Sequence, residues 1–165
     1  MNYKSFLSIW SAAILCSTFI SCNETACPLN NTVAAQFNFY QKGKTDYEAA
    51  RLADTLTVTA CGTDSVLINQ EVGVQYIKIP LSYSKAADTL SLRFAHSSGR
   101  TILDTIIVNK ESYRHYESPE CPTVTFHQIK GIRSTHRYID SVQIIKPNID
   151  YNATENLKIL LYTFE

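Results

Sequence analysis

Four histidines are the side chains in this sequence that could bind a metal ion or act as a general base. They are His96, His115, His127 and His136. No two of them have the spacing of a structural zinc site or of a helical His-Glu-x-x-His motif. His127 and His136 could face each other across a hairpin through Gly131, with His115 nearby, but isolated histidines are more commonly surface or half-buried residues. We therefore predict no metal ligand and no cofactor.

A serine or cysteine nucleophile would need a base and an orienting acid brought together by the fold. Serines, aspartates and histidines are present, but no Gly-x-Ser-x-Gly turn marks one serine as a nucleophile. The five glycines are all isolated, so there is no glycine-rich phosphate loop. We predict no catalytic residue and a non-enzymatic protein. A small envelope hydrolase is one alternative.

An aromatic and basic run, Tyr113-Arg114-His115-Tyr116, could line a ligand surface. The only tryptophan is Trp10, near the N-terminus, so tyrosines would have to stack against a sugar ring. Tyrosine is also favoured in ordinary strands, and this is the simpler interpretation of the run. A glycan-binding accessory protein of a polysaccharide-capture system is therefore the second alternative.

The N-terminus has the pattern of a targeting segment. Lys4 precedes an uncharged, mostly apolar stretch of residues 6–20, which is typical of a secretory signal and short for a membrane span. The stretch leads into Phe19-Ile20-Ser21-Cys22, which resembles the lipobox of bacterial lipoproteins. That resemblance implies cleavage before Cys22 and a lipid on its sulfur, which would attach the protein to a membrane. Asn23 stands where an aspartate would favour the inner membrane, so we expect the outer membrane.

These features divide the chain into three segments. We predict a lipoprotein signal peptide over residues 1–21, a lipidated tether over residues 22–31 and one folded domain over residues 32–165. Lysine plus arginine and aspartate plus glutamate each number 15, so the formal net charge is zero. A nucleic-acid partner is not expected, because such a partner needs a basic surface.

Aspartate followed by a hydroxyl residue and then an apolar residue occurs five times. The hydroxyl residues are Thr55, Ser65, Thr89, Thr105 and Ser141. In a structural interpretation, the aspartate closes a turn by accepting backbone N–H groups, and the next residues begin a strand. The pattern also resembles the periplasmic O-glycosylation sequon of Bacteroidetes-type bacteria, which implies glycosylation of these hydroxyls. Both can hold where the hydroxyl is exposed at a turn.

Alternation of apolar and polar residues recurs through the mature chain and predicts strands. It is clearest in Phe37–Phe39, Leu56–Ala60, Leu90–Phe94 and Leu157–Leu161. The best helical candidate is Tyr47–Ala53, at most two turns long. We predict an all-β, antiparallel two-sheet sandwich of about eight to ten short strands, loosely immunoglobulin-like, with a small barrel as the alternative.

Three cysteines remain after the signal peptide and the lipidated residue: Cys27, Cys61 and Cys121. In an oxidising compartment one pair should form a disulfide. We predict Cys27–Cys121, because each precedes a proline and each lies where an irregular segment enters a strand. Cys61 ends a strand before Gly62 and is expected to be an edge or turn thiol.

The mature chain resembles a family of small lipoproteins from Bacteroidetes-type bacteria that is known only as a domain of unknown function. The resemblance rests on Cys27, Ile79-Pro80-Leu81, Ser118-Pro119-Glu120-Cys121 and Ile139-Asp140-Ser141-Val142. It implies an envelope location and a β-fold, but no reaction. We expect a lipid-anchored, non-enzymatic interaction or structural module with an envelope protein or glycan as partner, on the periplasmic or the surface face.

Overall fold

The protein forms eleven strands in a computed structural model that describes residues 27, 32–63, 65–152 and 154–163. The strands are β1 (Ala35–Lys42), β2 (Tyr47–Ala49), β3 (Thr55–Ala60), β4 (Val66–Glu71), β5 (Tyr76–Ile79), β6 (Ala87–Ala95), β7 (Thr101–His115), β8 (Val124–Ser134), β9 (Ile139–Ile144), β10 (Asn148–Ile149) and β11 (Glu155–Leu161). Within these residues, no helix is long and apolar enough to span a bilayer.

Two sheets build the fold. The first has the order β2-β1-β11-β9, with β5 also paired to β1, and the second has the order β10-β8-β7-β6-β3-β4. All pairs are antiparallel except β1 with β11, which run parallel. The predicted all-β fold of two antiparallel-rich sheets is confirmed. The structure has eleven strands, whereas eight to ten were predicted. The count includes β2 and β10, which are only three and two residues long.

The core lies where apolar side chains alternate along facing strands. In β6 the burial alternates through Leu90, Leu92 and Phe94, and in β1 through Phe37 and Phe39. Because neighbouring side chains in a strand point to opposite faces, the intervening threonines and serines lie on the outer surface. Burial of each large apolar side chain contributes about 1.5–3 kcal/mol to stability.

The loops fall at two ends of the sandwich. The disulfide end contains residues 116–123 between β7 and β8, residues 80–86 between β5 and β6, and the start of β1. The opposite end contains the turn of residues 96–100, the loop of residues 135–138 and the end of β11. The described chain therefore begins at the disulfide end and finishes at the opposite one.

The predicted helix over Tyr47–Ala53 is wrong. Tyr47–Ala49 instead form β2, which pairs with Tyr40–Lys42 of β1, and the Ala50 N–H donates to the Phe39 carbonyl at 2.9 Å. A helix of two turns is marginal in water, because nucleation is costly. The edge of β1 offers the same residues backbone hydrogen bonds, so tertiary pairing overrides helical propensity.

The hairpin considered at Gly131 is also wrong. β8 runs continuously from Val124 to Ser134, and Gly131 lies at a bulge, where its partner is Asn109 while Ile129 pairs with Lys110. His127 and His136 consequently lie toward opposite ends of the second sheet. His115, at the end of β7, stacks on Phe126 instead of joining either of them.

The aspartate repeat marks strand starts at four of its five positions. Strands begin at Thr55, Val66, Ala87 and Ile139, each within two residues of the repeat aspartate. The copy at Asp104 lies inside β7, which begins at Thr101, so its interpretation as a strand start is wrong. The Asp104 carboxylate binds the loop before β9 instead of closing a turn in its own segment.

Candidate functional site

A buried lysine lies on the inward face of β7, near the disulfide end. The Lys110 side chain has no exposed surface, and its Nζ lies 3.0 Å from Asp88 Oδ2 of the neighbouring β6. The same ammonium donates to the Lys85 carbonyl at 2.5 Å. An ammonium needs such partners, because an uncompensated buried charge is strongly destabilising.

Asp88 also connects β6 to the loop of residues 80–86. Its carboxylate oxygens accept the Ser82 N–H at 3.2 and 3.3 Å. Asp88 thus accepts a backbone N–H of the preceding loop, which is the role predicted for the aspartates of the repeat. The pair of Asp88 and Lys110 thus fixes that loop against the second sheet.

His127 lies beside this ion pair on β8. It is buried, and its Nδ1 shares a 2.9 Å hydrogen bond with Ser112 Oγ, the residue directly opposite in the β7–β8 ladder. Burial lowers the pKa of His127 below its ordinary value of 6.5, and the positive charge of Lys110 lowers it further, partly opposed by Asp88. His127 is therefore neutral at pH 7.

The Ser112–His127 pair differs from a hydrolytic site in two respects. The carboxylate of Asp88, whose charge acts on the histidine, is engaged by Lys110 and Ser82 rather than by a nitrogen of the imidazole. Ser112 lies within a regular strand, whereas an activated serine usually occupies a sharp turn beside an oxyanion hole. The arrangement can bind a polar ligand group, but it lacks the oriented acid of a triad.

A groove opens next to His127 at the disulfide end. It has a volume of about 310 Å³ and is lined on one side by Leu81 and Tyr83 and on the other by Pro122, Thr125 and His127. Tyr83 has 78% of its surface exposed. A second groove of about 450 Å³ lies between the β3–β4 turn and the loop of residues 80–86. Both volumes fall near the lower end of the range of small-ligand sites.

An aromatic cluster covers the outer face of the β7–β8 hairpin at the same end. His115 stacks on Phe126 with ring centroids 4.3 Å apart, and Tyr151 meets the Phe126 edge at 4.9 Å. Tyr113 completes the cluster, with its ring centroid 6.0 Å from that of Phe126. The run Tyr113–Tyr116 was predicted to be either a strand or a ligand surface, and it is a strand as far as His115. Its two tyrosines, Tyr113 and Tyr116, are 47% and 63% exposed.

The cysteines lie as the sequence analysis paired them. Cys27 and Cys121 form a disulfide with a Cα–Cα distance of 5.6 Å, within the range of about 4.4–6.8 Å that the bond requires. Cys61 is a free, exposed thiol in the turn after β3. Cys22, the predicted lipidation site, lies outside the described residues.

The five predicted glycosylation hydroxyls differ in exposure. Ser65 is exposed, whereas Thr55, Thr89, Thr105 and Ser141 are half-buried in strands. Thr105 is further restricted, because the aspartate before it is fully buried. Among the residues that the structure describes, no group of three or more His, Cys, Asp and Glu side chains could hold a metal ion.

Sequence reasoning missed Lys110, Asp88 and Ser112 as a cluster with His127. The available signal was a lysine at an inward position of a long alternating strand. That signal is weak, because Ile106, Ile107 and Val108 are consecutive apolar residues and hide which face points inward.

Comparison with known families assigns the chain to a family but indicates no reaction. Residues 55–161 match a family of unknown function, DUF6452, and the chain belongs to that family. The matched segment runs from β3 to β11 and includes Asp88, Asp104, Lys110 and His127. No curated protein and no solved structure matches the chain.

Proposed function

We propose that this protein is a bacterial lipoprotein of the cell envelope, anchored by lipid on Cys22, whose β-sandwich acts as a non-enzymatic interaction module. The observation that carries the proposal is the disulfide between Cys27 and Cys121. Disulfides persist in oxidising compartments such as the periplasm and the cell surface. Such a bond five residues after the lipobox cysteine supports an exported, N-terminally anchored domain.

Metabolic labelling with a fatty-acid analogue tests the anchor. The wild-type protein and the control Cys16→Ser should carry label, because Cys16 leaves with the signal peptide. Cys22→Ser should carry none. Label that survives Cys22→Ser, or an unlabelled wild-type protein, would overturn the anchor.

Membrane fractionation tests the location. We expect the wild-type protein in the outer membrane and the variant Asn23→Asp in the inner membrane, because aspartate after the lipidated cysteine favours retention there. Equal distribution of the two proteins would contradict the sorting argument and leave the lipid itself in place.

The non-enzymatic part of the proposal is supported by the geometry around Ser112, where no carboxylate of the described residues hydrogen-bonds to His127. A fluorophosphonate probe labels activated serines covalently and tests this directly. We expect no labelling of the wild-type protein. Labelling that is lost in Ser112→Ala but kept in Ser82→Ala would instead support the envelope hydrolase.

A glycan-binding accessory role is the second candidate, favoured by the groove between Tyr83 and His127. An exposed tyrosine beside hydroxyl groups and a neutral histidine suits the stacking and hydrogen bonding of a sugar ring. A glycan array probed with the detergent-solubilised protein should then show binding that Tyr83→Ala abolishes. Tyr76→Ala, on the other sheet and 52% exposed, serves as the matched control and should retain binding.

Glycosylation of the aspartate-hydroxyl repeat remains a proposal, and the structure favours Ser65 as the acceptor on a folded domain because its side chain is exposed. Thr105 is half-buried in β7, so we expect less modification there than at Ser65. Mass spectrometry of native protein should find sugar at Ser65 first. Bare peptides at all five positions would contradict the proposal.

A further inference from the structure

The end of the β7–β8 hairpin extends past the other strands of the second sheet. β6 pairs with β7 only as far as Asn109, whereas β7 and β8 remain paired to His115 and Val124. On the other side, β10 pairs with β8 at Gln128 and His127, which lie opposite Glu111 and Ser112. The last three residues of β7 are therefore paired only with β8 and extend about 10 Å at the usual rise per residue. The loop of residues 116–123 therefore forms a protruding tip at the disulfide end, and we call residues 113–123 the hairpin tip.

The disulfide attaches the N-terminal segment to this tip and not to the body of the sandwich. Cys121 lies in the tip, where its N–H donates to the Ser118 carbonyl at 3.2 Å and its sulfur accepts Ser118 Oγ at 3.4 Å. Cys27 lies 5.6 Å from Cys121 between Cα atoms. Cys22 precedes Cys27 by five residues, which can span at most about 17–18 Å.

The side chains around that attachment point suit a bilayer interface. Tyr113 and Tyr116 are 47% and 63% exposed, and Pro119 is exposed between them and Cys121. Tyrosine favours the headgroup region, because its ring is apolar while its hydroxyl stays hydrated. Tyr113 packs edge-to-face with Phe126, which also contacts His115 and Tyr151, and these contacts hold the Tyr113 ring at the surface.

We infer that the hairpin tip rests on the bilayer that holds the Cys22 lipid, with Tyr116 in the interface. This inference rests on the proposed lipidation of Cys22. The short, disulfide-bound tether keeps the tip within one tether length of the headgroups, and the tyrosines supply the contact. The sandwich then stands with the opposite end, including the turn of residues 96–100 and the end of β11, directed away from the membrane.

Tryptophan fluorescence tests the contact on the natively lipidated protein. The only tryptophan of the chain is Trp10, which lies in the signal peptide, so a single introduced tryptophan reports one position. Tyr116→Trp places the reporter on the tip. Tyr162→Trp places it on a 40% exposed tyrosine at the opposite end and is the matched control.

Each variant is reconstituted into phosphatidylcholine and phosphatidylethanolamine vesicles with or without bromine on the acyl chains, since bromine quenches nearby indoles. We expect the Tyr116→Trp emission to shift to the blue and to lose most of its intensity in brominated vesicles. The Tyr162→Trp emission should be unchanged. High salt should not reverse the quenching, because the contact depends on aromatic side chains and not on charge.

Vesicle flotation and the mass of the acylated N-terminus separate the two possible failures. Protein that is acylated and floats, but whose Tyr116→Trp emission matches the Tyr162→Trp control, overturns the contact and leaves the anchor standing. Protein that is neither acylated nor floats overturns the anchor, and the inferred contact with it.

Discussion

Asp104 and Lys110 are both buried charges on the inward face of β7, yet the protein compensates them differently. At the opposite end, Asp104 accepts the backbone N–H groups of Arg137, Tyr138 and Ile139 at 2.7–3.0 Å and the hydroxyl of Thr135 at 2.5 Å. At the disulfide end, Lys110 has one carboxylate and one carbonyl as partners.

The difference lies in the number of hydrogen-bond partners that each charge has. The four donors on Asp104 use both carboxylate oxygens and fix the loop between β8 and β9, so this charge is a structural clamp. Lys110 lies near the neutral His127, and His127 lines the groove of about 310 Å³. The groove at the disulfide end therefore reaches one buried polar residue, His127, whereas the groups that bind Asp104 are hydrogen-bonded to it.

Removal of the disulfide should have the largest effect on stability. The bond closes a segment with a sequence separation of 94 residues, for which the chain-entropy model gives about 4–5 kcal/mol. We expect the double variant Cys27→Ala, Cys121→Ala to lose about that much free energy of unfolding in urea. Cys61→Ala, an exposed free thiol, is the control and should be neutral; a loss in the control equal to that in the double variant would contradict this prediction.

Asp104→Ala should be the next most damaging change. It leaves three backbone N–H groups and one hydroxyl without their acceptor, at a cost of about 3–4 kcal/mol. Thr135→Val removes only one of the donors and should cost about 1 kcal/mol. Urea denaturation measures the loss of unfolding free energy in each variant. Equal losses would show that the hydrogen bond from Thr135, and not those from the backbone, dominates the stabilisation by Asp104.

The Asp104 clamp also predicts acid sensitivity. Burial alone would raise the pKa of Asp104, but the hydrogen bonds from Thr135 and the three backbone groups outweigh it, and the pKa falls below its ordinary value of 3.8. A lowered folded pKa gives stability that is fully present above the unfolded pKa and is lost as the pH falls through the folded one. Unfolding free energies measured below pH 4 should therefore decline in the wild type more than in Asp104→Ala.

Lys110→Met should cost less than Asp104→Ala, about 2–3 kcal/mol, because Asp88 is left without its cation but keeps some solvent exposure. The double variant Lys110→Met, Asp88→Asn removes both charges and retains an acceptor for the Ser82 N–H. We expect its stability to lie within about 1 kcal/mol of the wild type. A double variant as unstable as the single one would show that Lys110 has a partner beyond Asp88 that matters more.

The smallest effect should come from His127. Its lowered pKa means that protonation below the ordinary value of 6.5 is harder in the folded protein than in the unfolded one. The stability contribution is therefore complete above that value and declines as the pH falls toward the depressed folded pKa. Unfolding measured at pH 7.5 and 5.5 should show a decline in the wild type that His127→Gln reduces.

Several of these features could be read from the sequence because they depend on local chemistry. Alternation in Leu90–Phe94 predicts a half-buried strand, and the prolines after Cys27 and Cys121 mark irregular segments that can meet. The prediction of a helix over Tyr47–Ala53 was wrong because the structure there depends on a non-local contact. The helical propensity of these residues is weak, and they pair instead with an edge of β1 that no local pattern reveals.

The sequence by itself determined that this protein is built from strands, which cysteines could pair and that no familiar catalytic motif is present. These properties follow from residue type and from a period of two along each strand. Only the tertiary structure decided that Asp104 and Lys110 are buried, because both faces of residues 102–108 carry apolar side chains and only packing against the first sheet selects one of them. It also decided that Cys27 is bonded to the loop between β7 and β8, beyond the point at which β6 stops pairing with β7.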